Sequence, residues 1–324
     1  MNEMDNDELV SSLEELIDQY EEHMAPYAVT LCQKMSEAFL RMIADPEDES
    51  AIAAMEVLTA IQTILRSICE KPELYVQVEP ILAPLIVKIM DPDVGLEFFE
   101  ESIKLCSYFT YYAPTVSEFM WSLFPKMHNM FENWSLDIIT DLLVPFDNYI
   151  SRGTNVFLTG PYLEIVFSMY KRILTDDNTD DRTCADAAKL WEVVLQNCVG
   201  KVDAYIEPAL ELALNRLTKT KKQPLRVLLM EVVANSSYYN PALLLSILEK
   251  RGWTKPTFEY WFQTVPNLDR VWDKKLTIVG LSNLFALPFD SLPPVVKAGS
   301  KQIFVTLLKL IHDSEVQKLG KKVK

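Results

Sequence analysis

Glycine is scarce in this chain, with eight in 324 residues, and neither Asn-Gly nor Asp-Gly occurs. Tight two-residue hairpins favour such pairs for their positive φ angles, so signals for a meander or sandwich of short strands are few. Histidine is scarcer still: His23, His128 and His312 stand far apart, and no His-x-x-x-His or Cys-x-x-Cys spacing exists, which leaves zinc and histidine chemistry without a framework. Gly-x-Gly-x-x-Gly, Walker-type and Gly-x-Ser-x-Gly motifs are also missing, so nucleotide binding and the common hydrolase elbow lack support. No run approaches the ~18 apolar residues of a membrane span, and the acidic start MNEMDNDELV is unlike a signal or transit peptide. No cofactor site and no enzyme activity are expected. The five cysteines, Cys32, Cys69, Cys106, Cys184 and Cys198, are odd in number and embedded in apolar patterns. They read as reduced core residues of a cytosolic or nuclear protein.

What is present is helical. Between Tyr239 and Leu243 an apolar run is cut by Asn240-Pro241, where the asparagine can cap a new helix and the proline can start it, so one helix ends and another begins at once. Caps, prolines and a 3.6-residue period predict fifteen helices in pairs, at a spacing of about 42–48 residues that suits HEAT and armadillo arrays. The expected fold is all-α, an α-solenoid of about seven antiparallel HEAT-type helix pairs in a right-handed superhelix. Repeats are placed at residues 7–44, 49–90, 93–131, 135–175, 181–218, 223–251 and 271–312, with an irregular insert at 252–270, and the whole chain is read as a single solenoid. Direct self-similarity agrees with this: Val78-Glu79-Pro80 aligns with Ile206-Glu207-Pro208, and Pro125 follows Pro80 by one period. Each proline falls in the first turns of a second helix, where it bends the axis. In 202–218, Ile206, Leu210, Ala213, Leu214 and Leu217 form one stripe for neighbouring repeats to cover.

Charge is uneven. The net charge is −15, and residues 1–100 hold 22 Asp and Glu against 5 Lys and Arg. That argues against nucleic acid and for a basic partner or simple solubility. Candidate docking residues for Lys/Arg-rich segments are Glu14, Glu15 and Asp18 in the first helix, Glu47, Asp48 and Glu49 in the next connection, and Asp176, Asp177, Asp180 and Asp181 in the loop TDDNTDDRTC. A solvated linker is the plainer reading of that loop, which lacks the glycine and terminal glutamate of an EF-hand. The basic cluster Lys219, Lys221, Lys222 and Arg226 reads as a solvated turn, and Trp121, Trp134, Trp191 and Tyr238-Tyr239 as packing between repeats.

Five stretches, HMAPYAVTLCQKMSEAFLRMI, VGLEFFEESIKLC, CADAAKLWEVVLQNC, YIEPALELALNRLT and YYNPALLLSILE, resemble in this order the later part of the importin-seven/importin-eight branch of the importin-β (karyopherin-β) family. The resemblance runs from about residue 5 to about residue 312. It implies a nuclear transport receptor that shuttles between cytoplasm and nucleus, carries basic protein cargo such as ribosomal proteins or histones, contacts Phe-Gly nucleoporins and releases cargo to the GTP-bound Ran GTPase. Family members are much longer, and the amino-terminal repeats that form their main Ran site have no counterpart here, so the chain reads as a carboxy-terminal segment. A rigid scaffold that holds other subunits without a transport cycle is the alternative. Both readings place a solenoid at the centre.

Overall fold

The computed structural model describes residues 25–44, 50–91 and 97–322, and among them every regular element is a helix. In order these are α1 (Ala28–Met42), α2 (Ser50–Ser67), α3 (Pro72–Ile89), α4 (Phe99–Tyr112), α5 (Glu118–Asn133), α6 (Ile139–Arg152), α7 (Thr154–Thr159), α8 (Tyr162–Thr175), α9 (Asp181–Asn197), α10 (Asp203–Lys219), α11 (Gln223–Tyr239), α12 (Pro241–Lys250), α13 (Thr254–Thr264), α14 (Val271–Leu284) and α15 (Pro294–Lys322). Short 3-10 turns occupy Leu136–Ile138, Val265–Asn267 and Phe289–Ser291. The first expected helix, 7–22, lies outside the described residues. The short α7 escaped the sequence reading because six residues carry too little periodicity. The last helix runs ten residues past its expected end at 312, since no proline stands in its final turns.

Local chemistry sets the boundaries. Asn240 Oδ1 accepts the Leu243 amide at 3.0 Å and Pro241 takes the first helical position, as the dipeptide predicts. At the other end of α12, Gly252 adopts φ +68° while Trp253 N reaches Leu248 O (2.7 Å) and Gly252 N reaches Glu249 O (3.0 Å). This is a Schellman ending that a Cβ would strain. Ser117 caps α5 through the Met120 amide (3.1 Å). Pro80 and Pro84 sit inside α3, Pro125 inside α5 and Pro208 inside α10; Pro145 does the same inside α6.

The chain divides into two compact units, residues 1–153 and 154–324. In each, a helix packs on its sequence neighbour and on the helix two places on, or three where α12 and α13 intervene. In the first unit α1 packs on α2 and α3, α2 on α4, and α4 on α6; in the second α8 packs on α9 and α10, α9 on α11, α10 on α12, and α11 on α14. That is the two-layer packing of a helical-repeat array, in which each apolar stripe is covered by the next pair.

Hydrogen bonds between elements repeat at a fixed stride. Ser36 Oγ donates to Ile81 O, Ser117 Oγ to Glu79 Oε2, Asn148 Nδ2 to Thr110 Oγ1, Tyr170 Oη to Ala209 O, Gln196 Nε2 to Asn235 Oδ1 and Ser237 Oγ to Gly280 O, across 38 to 45 residues in every case. Arginines at helix ends follow suit. Arg152 donates to Thr110 O and Ala113 O (both 2.7 Å) at the end of α4, and Arg216 to Asp176 O (2.9 Å) and Thr179 O (2.5 Å) beyond α8. Carbonyls left open at a helix C-terminus are thus satisfied by a cation from one repeat later. Arg152→Ala is expected to lower the stability of the first unit by about 1–2 kcal/mol, read as a shifted urea midpoint.

Aromatic side chains fill each interior. Phe124 stacks on Phe146 at 4.4 Å with Tyr149 edge-on at 5.1 Å, and in the second unit Trp191 lies 5.5 Å from Tyr170 and 5.3 Å from Phe167. Trp121, Trp191 and Tyr239 are buried as expected, but Tyr238 is 44% exposed and meets α14 through its backbone carbonyl, which accepts from Asn283 Nδ2 at 3.3 Å. Cys32, Cys106, Cys184 and Cys198 are buried free thiols. Burial pushes Cys32 up to about 12 and Cys184 and Cys198 up to about 11, so these thiols are poor nucleophiles.

Candidate functional site

Glu14, Glu15, Asp18, Glu47, Asp48 and Glu49 lie outside the described residues. The loop between α8 and α9 is described, and its carboxylates are engaged within the fold. Asp180 caps α9, accepting the Arg182 amide (2.7 Å), the Thr183 amide (3.1 Å) and the Thr183 hydroxyl (2.7 Å); chiefly that hydroxyl holds its pKa below the usual range. Asp176 closes an Asx turn on the Asn178 amide (2.9 Å). Asp177 pairs with Lys219 at 2.5 Å and Asp181 with Lys222 at 3.1 Å. The acidic loop and the basic cluster, which the sequence presents as separate motifs, are therefore partners across one repeat. Exposed pairs of this kind contribute little stability, but they lower the negative field the loop offers to anything else.

A larger acidic surface arises in the first unit, where α4 and α6 lie side by side. Glu97 precedes α4, Glu100 and Glu101 occupy its first turn, Asp137 sits in the 3-10 turn before α6, and Asp141 lies in the first turn of α6. Together they line a groove of about 370 Å³ over Met55, Phe99 and Ile138. Helix N-termini carry partial positive charge, which lets these carboxylates crowd at low cost. Among the described residues Lys104 pairs with them, at 3.1 Å from Glu101 and 3.7 Å from Glu100. Partial burial works against its charge, but the hydrogen bond and field of Glu101, with Glu100 and Asp141, outweigh this and raise its pKa.

Glu100 and Asp141 also rim a second groove of about 600 Å³, which continues from the first. Ile103, Tyr108, Tyr111, Tyr112 and Val144 give it an apolar and aromatic wall, with Lys104, Ser107 and Thr140 completing the lining. The wall is fixed from behind. Tyr112 stacks on Tyr75 (5.7 Å, 23°) and Tyr108 (6.0 Å, 21°), Tyr111 meets it edge-on at 4.8 Å, and the fully buried Tyr75 donates its hydroxyl to Leu65 O at 2.5 Å. Tyr111 and Val144 remain 56% and 58% exposed. The sequence reading passed over this surface. Its only sign there is a pairing by period: Glu97 and Glu101 recur forty residues on as Asp137 and Asp141.

A third acidic group lies buried in the second unit. Glu192 of α9, Glu231 of α11 and Asp273 of α14 are 6%, 2% and 3% exposed, and Arg270 is the cation among them, at 3.2 Å from Glu231 and 2.6 Å from Asp273. Burial, with the neighbouring carboxylates, pushes Glu231 up to about 10, and burial pushes Glu192 up to about 7. Asn235 and Trp272 also hydrogen-bond to Glu192. Perturbed carboxylates often mark active sites, but these three are sealed between helices. They hold α9, α11 and α14 together.

A family model described as importin-11-like, TPR repeats, matches residues 55–321. The chain is 39% identical to an importin beta-like SAD2 homolog of Arabidopsis thaliana over 96% of its length and 32% of that protein's. It is 33% identical to a probable importin-7 homolog of Dictyostelium discoideum over 97% of this chain and 30% of that protein, and 30% identical to importin-8 of Homo sapiens over 95% and 30%. It thus spans about a third of the length of the curated relatives it matches. TPR and HEAT are both stacks of antiparallel helix pairs, and the stride of about 40 residues seen here is that of HEAT. With a family match over most of its length and relatives in the importin-7 and importin-8 group, the chain belongs to the importin-β family.

Proposed function

We propose that this chain is the part of a nuclear transport receptor that holds basic protein cargo, such as ribosomal proteins or histones, while the receptor moves between cytoplasm and nucleus. The observation that carries the reading is the convergence of Glu97, Glu100, Glu101, Asp137 and Asp141 on one groove, with Lys104, in the lining of the adjoining groove, paired to Glu101. Such a field raises the encounter rate of Lys/Arg-rich segments and selects them by charge. The loop residues Asp176, Asp177, Asp180 and Asp181 and the acidic residues 14, 15, 18 and 47–49 are proposed as further contacts for basic segments. The loop is the weaker contributor, because Lys219 and Lys222 already face it. Contacts with Phe-Gly nucleoporins and release by Ran belong, on this reading, to the receptor as a whole. The relatives, importins by name, favour transport over a static scaffold or an enzyme. No helix among the described residues is long and apolar enough to cross a membrane.

The test is binding of a purified histone dimer or ribosomal protein as salt is raised from about 50 to about 300 mM, which shortens the screening length to several ångströms. Affinity is expected to fall at least tenfold, and Glu97→Lys with Asp137→Lys is expected to weaken binding by a similar factor at low salt. Asp177→Asn is expected to leave it within a factor of two. Salt-insensitive binding, or indifference to the double reversal, would refute the reading.

A further inference from the structure

The two grooves between α4 and α6 share Glu100 and Asp141, so a ligand in one lies against the rim of the other. We infer that together they read a composite element: a segment of the basic partner in which an aromatic or large aliphatic side chain, seated on the tyrosine wall, stands a few residues from a lysine or arginine held by the carboxylates. The inference deepens the cargo reading and rests on it. Three observations on these helices support it.

The apolar groove is preformed. Tyr112 is held in a stack between Tyr75 and Tyr108, and Tyr75 is anchored by its own hydrogen bond, so little ordering cost remains when a side chain enters. Its mouth is apolar at the surface, where Tyr111 and Val144 are more than half exposed. Its charge commits the occupant: the rim carries Glu100 and Asp141 against Lys104, and the adjoining pocket adds Glu97, Glu101 and Asp137, so the pair of grooves is net negative. An acidic peptide would be repelled, and a neutral one would gain nothing from half of the surface. Burying a phenyl ring in such a wall is worth about tenfold or more in affinity. Flanking cations add the salt-sensitive part. Lys104 pairs with Glu100 and Glu101 and is outnumbered five to one by the carboxylates of the two grooves, so an incoming cation still meets a net negative surface.

Three labelled synthetic peptides of equal length test this by fluorescence anisotropy on the full chain: a basic peptide with one central phenylalanine, the same peptide with that residue as alanine, and an uncharged Phe-Gly peptide. The basic phenylalanine peptide is expected to bind at least tenfold tighter than its alanine partner. That advantage should shrink to within twofold in Val144→Gln and in Tyr111→Ala, which change no charge, and persist in Tyr111→Phe. Circular dichroism of each variant separates a lost groove from a lost fold. If the two basic peptides bind equally well and both weaken with salt, the inference fails while the cargo reading stands. If no basic peptide binds, both fail. If the uncharged Phe-Gly peptide binds as tightly as the basic one, the carboxylates play no part and the inference is overturned.

Discussion

Raising the pH from 5.5 to 9 is expected to destabilise the second unit by several kcal/mol, with the Glu231→Gln variant losing most of that dependence. In the unfolded chain both glutamates titrate near 4.5, whereas in the fold burial lifts Glu192 to about 7 and burial with neighbouring carboxylates lifts Glu231 to about 10. Above about 4.5 the folded state therefore holds protons that the unfolded state has released, and stability falls as pH rises through this window. Below it the two states bind these protons equally and the dependence disappears. Glutamine at 231 keeps a donor between Glu192 and Asp273 without a titrating group. At pH 9 the variant should be the more stable protein, and at pH 5.5 the two should agree to about 1 kcal/mol. Urea midpoints followed by tryptophan fluorescence from Trp191 and Trp272 measure both; a wild-type profile flat from 5.5 to 9 would rule out a proton retained by this buried pair.

The second large effect is steric. A Cβ placed on Gly280 would lie 2.8 Å from Ala234 O, 3.0 Å from Ala234 Cα and 3.1 Å from its Cβ, so α14 and α11 touch backbone to backbone where Ser237 Oγ donates to Gly280 O at 2.6 Å. Neither backbone can yield without moving its helix. Gly280→Val is expected to cost about 3 kcal/mol or more, and Gly280→Ala about 1–2 kcal/mol even after its gain in helix propensity. Gly299 in α15 is the control. Nothing stands within 4 Å of its added Cβ, so Gly299→Ala should stabilise by about 0.5–1 kcal/mol. If the two alanine variants behave alike in thermal melts, the close crossing is absent in solution.

These cases mark what could be read from the sequence. Asn240-Pro241 announces its turn because capping and the missing proline amide act within four residues. The prolines of α3, α5 and α10 betray the repeat because each perturbs its own helix. Period and apolar stripes therefore delivered an all-helical array. The acidic groove stayed hidden, since its two halves are forty residues apart and each half, taken alone, is an ordinary charged helix start. The loop at 176–181 is the converse case: a dense run of carboxylates draws attention in one dimension, whereas the cap made by Asp180 and the lysine partners of Asp177 and Asp181 show only in three. Glu192, Glu231 and Asp273 look like solvated positions until α9, α11 and α14 close over them. Gly280 is silent in sequence because the atom it must avoid belongs to Ala234.

The regular stride of the inter-helix hydrogen bonds bears on how the chain is made. Partners separated by 38 to 45 residues leave the ribosome within about two to ten seconds of one another at ordinary elongation rates. Each newly emerged hairpin can therefore close on the one before it while the next is still in the exit tunnel, and its greasy stripe is open to aggregation or to a chaperone only for that interval.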